Sequence, residues 1–230
     1  MVTQGFLACA FRSLNPIRFH LHPHLMQKVF LVTLLTLTPL IAADSGAMTD
    51  AERTYLLDQL EQSKKAMLAT IQVSPAQWTY KSAPTVWSVE ECAEHLILAE
   101  DFLMGAMQQT LKTPAADRLP TANPEADRKL VAAIKDRSKK ATAPEPIVPA
   151  GKYATPADAA REFTARRDKT IAYVKTTNDE LRAHSAAGPL GPMDGYQFLL
   201  LLAAHTARHT AQMQEVQSGS GYPKTTAAAR

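Results

Sequence analysis

The stretch YQFLLLLAAHTARHTAQMQEV, residues 196–216, constrains this chain more than any other. Phe198, Leu199, Leu201, Leu202, Ala203, Ala204, Met213 and Val216 surround it with apolar side chains. A helix that apolar belongs inside a protein. Into it the sequence sets His205 and His209, four residues and about 40° apart around a helix, so that both rings can address one point. Gln212 follows one turn later on the same face. Buried imidazoles lose hydration and need partners. One solution is a histidine pair hydrogen-bonded within the core. The other is a metal ion, for which two ligands are too few.

Three further long helices accompany this one. The first runs from about Thr49 to Ile71, with Leu56, Leu60, Met67 and Ile71 on one stripe and Asp50 and Glu52 in its first turn. The second opens at SVEE, where Ser88 and Glu91 have the spacing of a capping box, and continues to about Leu111. The third begins at Thr155-Pro156, an N-cap followed by proline at the first helical position, and ends near Thr177. Asp194 caps the fourth, which runs to about Gln217. The stretch between the first and second, with Pro75 and Pro84, and AAGPLGP (186–192) read as turns, and no strand pattern competes.

The fold class that follows is all-α: a four-helix bundle with a long crossover between the second and third long helices. That connection, residues 112–154, is rich in proline, alanine and lysine and carries one short helix near Glu125–Arg137. It is far longer than the other two links. Such a crossover lets those two helices run parallel and the fourth pack against the second. The domain spans 48–217, with 218–230 as a polar, flexible tail.

The second helix carries His95, flanked by Leu96 and Leu98. If it faces the fourth helix, three imidazoles meet inside the bundle. Three histidines with one position left open are the pattern of a catalytic zinc site, and nickel or iron also accepts imidazole. Cys92 lies about 60° around the helix from His95 and reads as a small core residue. His184, beside a turn, reads as a surface or capping histidine.

TVWSVEECAEHL (85–96) and LLLLAAHTARHTAQMQEV (199–216) together resemble the signatures of the DinB-like (YfiT-like) metalloenzymes. In that family a Trp-Ser/Thr pair enters one helix ahead of a histidine ligand, and H-x-x-x-H-x-x-Q marks another. The resemblance covers about 49–217. It implies a bundle in up-down-down-up order and a divalent metal at the positions that here are His95, His205 and His209. The chain departs from a minimal member in its leader and its longer crossover.

The leader is KVFLVTLLTLTPLIAADSGA, Lys28 to Ala47. A basic residue, a short apolar core from Val29 to Ala43 and small residues after it describe a secretory signal. The core, interrupted by Pro39, falls short of the roughly 20 residues of a membrane-spanning helix. Processing near Ala43 or Ala47 is expected, with the true start at Met26, and an exported or periplasmic product. The alternatives are a cytoplasmic protein or one anchored at its N-terminus. HLHPH (His20, His22, His24) falls inside this leader and is taken as incidental. Arg12, Arg18 and Lys28, with no acid among residues 1–43, account for the formal net charge of +3. The remainder is balanced, which argues against a nucleic-acid partner. A small-molecule substrate or ligand is the expected partner, with a homodimer as the alternative left open.

Three activities fit an open three-histidine site. A hydrolase would use the metal to make hydroxide available near neutral pH, with Glu91 or Gln212 as candidate helpers. Glu91 has a competing role in the capping box. Gln212 could orient His205, contact a substrate oxygen, or simply be a helix-surface amide. A thiol transferase would use the same position to bind a thiolate, although low-molecular-weight thiols are mainly cytoplasmic. A binding module would use the metal as a staple. No phosphate loop, nucleotide fingerprint or hydrolase triad is present.

Overall fold

The computed structural model describes residues 46–224. The leader as far as residue 45, with the cleavage site at Ala43, Met26 and the HLHPH stretch, lies outside the described residues, as does the end of the tail from 225; Gly46 and Ala47, at the second cleavage site, are described. Among the described residues six helices appear in chain order: α1 (Asp50–Thr70), α2 (Pro75–Trp78), α3 (Val89–Thr110), α4 (Pro124–Lys135), α5 (Pro156–Thr176) and α6 (Gly195–Gln217). A short 3-10 turn, Glu145–Ile147, sits between α4 and α5. Among the described residues the fold is all-helical apart from one hairpin, β1 (Ser185–Gly188) against β2 (Gly191–Asp194). No helix among the described residues is long and apolar enough to cross a membrane.

The helix starts follow from side-chain caps. Thr49 and Glu52 form a capping box on α1, Ser88 and Glu91 on α3, and Asp194 and Gln197 on α6; Thr155 caps α5 with Pro156 behind it. Each reciprocal pair satisfies amides that a helix start leaves without partners. The short link after α1 is more ordered than its prolines suggest. Ser74 caps α2, with Pro75 at the first helical position, where its missing N–H costs nothing.

The hairpin corrects the reading of 186–192 as a plain turn. Ser185 pairs with Asp194 and Gly188 with Gly191 in antiparallel register. Gly191 has φ +113°, a backbone conformation that L side chains rarely adopt. Serine, alanine and glycine carry no alternating apolar signal, so nothing in this stretch announces a strand.

Among the long helices, α6 packs on both α3 and α1, and α5 packs on both α3 and α1. α4, from the crossover, lies on α6. Leu56, Leu60, Leu199, Leu200, Ala203 and Ala204 fill one part of the core. Trp78, Cys92, Leu96, Phe163 and Met213 fill another. A buried polar link joins four helices. Arg167 of α5 contacts Glu100 of α3, the Leu60 carbonyl (3.0 Å) and Ser63 hydroxyl (2.8 Å) of α1, and the Thr206 hydroxyl of α6 (2.7 Å). Arg182 is likewise buried among Glu52, Asp127 and Asp194. Residues 218–224, the start of the stretch read as a tail, lie against the body. Tyr222 meets Tyr80 edge-on, and the Pro223 carbonyl accepts from Gln77 at 2.8 Å.

Candidate metal centre

His95 on α3 and His205 and His209 on α6 converge, because these two helices pack directly on one another. The ring centroids lie 4.4 Å apart for His95 and His209, 4.5 Å for His205 and His209, and 4.9 Å for His95 and His205. One nitrogen of each ring lies within 4.8 Å of the others. His95 Nε2 and His205 Nε2 are 3.1 Å apart. Among the described residues no carboxylate or cysteine joins the three. Trp87, the residue before the α3 cap, walls one side, with its ring 4.9 Å from His95 and 6.0 Å from His209.

The hydrogen bonds decide where two of the ring protons are. His95 Nδ1 lies 2.7 Å from the Ile147 carbonyl, an obligate acceptor, so Nδ1 carries the proton and Nε2 a lone pair. His209 Nδ1 lies 2.8 Å from Gln212 Oε1, which makes the same assignment for His209. His205 Nδ1 is buried and has no partner. If His205 Nε2–H donates to His95, a bare Nδ1 acceptor stays buried. If Nδ1 holds the proton, two Nε2 lone pairs face each other at 3.1 Å. Either arrangement leaves the protein alone with an uncompensated polar atom. A cation receiving the Nε2 lone pairs would relieve the second arrangement. Nitrogens sharing a tetrahedral zinc sit about 3.3 Å apart, close to the 3.1 Å between His95 Nε2 and His205 Nε2. The residues present therefore fit a divalent metal.

Burial drives the electrostatics in the same direction. It lowers the His95 pKa against the opposing effect of the Ile147 carbonyl. Burial, then the neighbouring His209 and His95, holds His205 well below its ordinary value. Burial and the nearby His95 bring His209 down to about 3. All three rings stay neutral near pH 7, the form that binds metal.

The helper candidates fall differently. Glu91 does not join the histidines: one oxygen accepts from the Ser88 amide at 2.8 Å and the other pairs with Lys81 at 2.7 Å. Gln212 does touch the site, but through His209, its neighbour three residues back, and not His205. Cys92 is buried, with its thiol pushed up to about 12 by burial, and is a core residue. His184 Nδ1 lies 2.7 Å from the Thr113 carbonyl, away from the triad.

Two contacts came from where sequence patterns give no signal. The Ile147 carbonyl is a backbone group of the crossover. Arg137, just beyond α4, reaches Gln212 Oε1 at 3.2 Å and holds Glu215 through two bonds of 2.6 and 2.7 Å. A cavity of about 810 Å³ between α1 and α5, lined by Leu68, Ile71, Val73, Ala157 and Ala160, contains none of the histidines.

The family model of the DinB superfamily matches residues 59–213, which include all three histidines. The chain belongs to the DinB superfamily. Comparison with curated proteins and with solved structures gives no match. The matched span of this DinB-superfamily protein runs from within α1 to near the end of α6 and takes in the whole crossover.

Proposed function

We propose that this protein is a metal-dependent hydrolase built on a four-helix bundle of α1, α3, α5 and α6 in up-down-down-up order. His95, His205 and His209 hold a divalent metal, zinc or nickel, with a coordination position left for a small-molecule substrate. The observation that carries this reading is the pair of fixed tautomers. His95 and His209 both spend their Nδ1 protons on protein acceptors, which leaves a lone pair on each Nε2 for a shared ion. When bound, such a metal supplies Lewis acidity and lowers the pKa of water towards about 7.

The protein's own groups do the rest. Ile147 and Gln212 orient two rings, as outer contacts commonly do for histidine ligands. Trp87 stands beside two of the rings. The secretory pattern of the leader also favours hydrolysis over thiol transfer, because thiol cosubstrates are scarce outside the cytoplasm.

The test is elemental analysis of protein purified without added metal, followed by ester, amide and thiol-conjugation assays with and without chelator. Chelator-sensitive hydrolysis, restored by zinc or nickel, is expected. Thiol conjugation without hydrolysis would reassign the site to a transferase. A tightly held metal with neither activity would leave a binding module.

A further inference from the structure

The geometry points to Arg137 as a positioning residue that fixes the tautomer of His209 through the side-chain amide of Gln212. This rests on reading His95, His205 and His209 as ligands. An amide side chain has two ends of opposite character, and a flip exchanges them. With Oε1 towards His209, Gln212 accepts the Nδ1 proton and leaves Nε2 free to bind metal. With the NH2 group there, Gln212 would donate to Nδ1, force the proton onto Nε2 and remove the ligand.

Arg137 decides between these two states. Its guanidinium has only donors, and one of them points at the same Oε1, at 3.2 Å. The flipped amide would set NH2 against N–H, so the flip is disfavoured. Arg137 itself makes two bonds to Glu215, one α6 turn beyond Gln212. The stretch that carries Arg137 is also fastened to α6. Arg208, adjacent to His209, donates to the carbonyls of Ile134, Asp136 and Lys139. The long crossover thus reaches the site from both sides, through Ile147 to His95 and through Arg137 and Gln212 to His209.

The experiment compares wild type, Arg137→Ala, Gln212→Glu and the double variant in the full chain. One readout is zinc affinity by chelator competition. The other is the nitrogen NMR shifts of the His209 ring in metal-free protein, which report the tautomer. A glutamate at 212 is an acceptor at both oxygens and has no wrong end to present. Arg137→Ala should mix the His209 tautomers and weaken zinc binding about ten- to a hundredfold. Adding Gln212→Glu should restore a pure Nδ1–H tautomer and bring affinity back to that of Gln212→Glu alone. Arg137→Ala with wild-type affinity and an unmixed tautomer overturns the proposal. So does a lost affinity that Gln212→Glu fails to rescue while the tautomer stays unchanged, since that pattern marks mere support of the crossover. If wild type binds no zinc, the ligand reading fails, and the metal-free tautomer in Arg137→Ala still decides this proposal.

Discussion

His95 Nε2 lies 3.1 Å from His205 Nε2 across the contact between α3 and α6, while His95 Nδ1 is committed to the Ile147 carbonyl. A lone pair on His95 is thereby aimed at a second imidazole that has an unpartnered nitrogen of its own. Protein groups alone do not complete this arrangement, and that incompleteness makes the centre a metal site in our reading.

Removing any one ring should therefore break metal binding more than it breaks the fold. His95→Ala, His205→Ala and His209→Ala are each expected to lose high-affinity zinc in chelator competition. Far-UV circular dichroism should stay close to wild type, because Leu56, Leu96, Leu199 and Met213 still fill the core. Wild-type metal content in all three variants would end the assignment. Trp87 offers a local reporter. Copper or nickel bound beside it should quench its emission, and Trp87→Phe should abolish that quenching, since Trp78, the other tryptophan, sits in the core near Tyr153.

The two buried arginines predict where stability is concentrated. Arg167 bonds to Glu100, Ser63, the Leu60 carbonyl and Thr206, so Arg167→Met strands a buried carboxylate and several acceptors. A loss of about 3–5 kcal/mol is expected in urea unfolding. Replacing Arg167 and Glu100 together with apolar residues should cost much less, because no uncompensated charge is left behind. Equal losses for the single and the double replacement would contradict this.

The start of α3 carries a smaller effect. Ser88→Ala removes the hydroxyl that accepts from the Glu91 amide at 3.1 Å and should cost about 1 kcal/mol. Glu91→Gln keeps an acceptor for the Ser88 amide but gives up the ion pair with Lys81, a half-exposed contact worth well under 1 kcal/mol. If Glu91→Gln instead abolished hydrolysis without affecting stability or metal binding, Glu91 would regain the role of helper base.

Much of this was legible in the chain because caps and periodicity are local. Ser88 with Glu91, Thr155 with Pro156, and Asp194 each mark a helix start within a residue of where it lies. Helical spacing sets His205 and His209 on one face and the long crossover allows His95 to meet them, while the set of three was what the resemblance to the DinB-like family implied. What stayed illegible depends on distant partners. Nothing in the sequence pairs Arg137 with Gln212, 75 residues away. A backbone carbonyl such as that of Ile147 leaves no compositional trace. For Gln212 the sequence leaves open an orienting contact to His205, a substrate oxygen or a surface amide; it lies instead on His209, three positions back and one turn away. The hairpin escaped because Ser185, Ala186, Ala187 and Gly188 alternate nothing.

The last expectation concerns acid. Unfolded histidine titrates near about 6.5, whereas burial holds His95, His205 and His209 below that, His209 at about 3. Between these values the unfolded chain binds protons that the folded, metal-free protein does not. Stability therefore rises with pH across that window. It is fully present above about pH 6.5 and is lost as pH falls towards the folded pKa values. Melting temperatures of chelator-treated protein should drop steadily from about pH 7 to about pH 4, and His209→Gln, which carries no titrating ring, should flatten that slope. Carboxylates elsewhere titrate in both proteins, so the difference between the two profiles isolates the imidazole. Bound metal competes only with protons that the native rings accept. Its release should accordingly fall below the range of a free imidazole, with a midpoint under about pH 6. Parallel melting profiles for wild type and His209→Gln would show that His209 titrates as an exposed histidine. The neutral triad on which the metal assignment depends, His95 buried and His205 and His209 half-buried, would then be wrong.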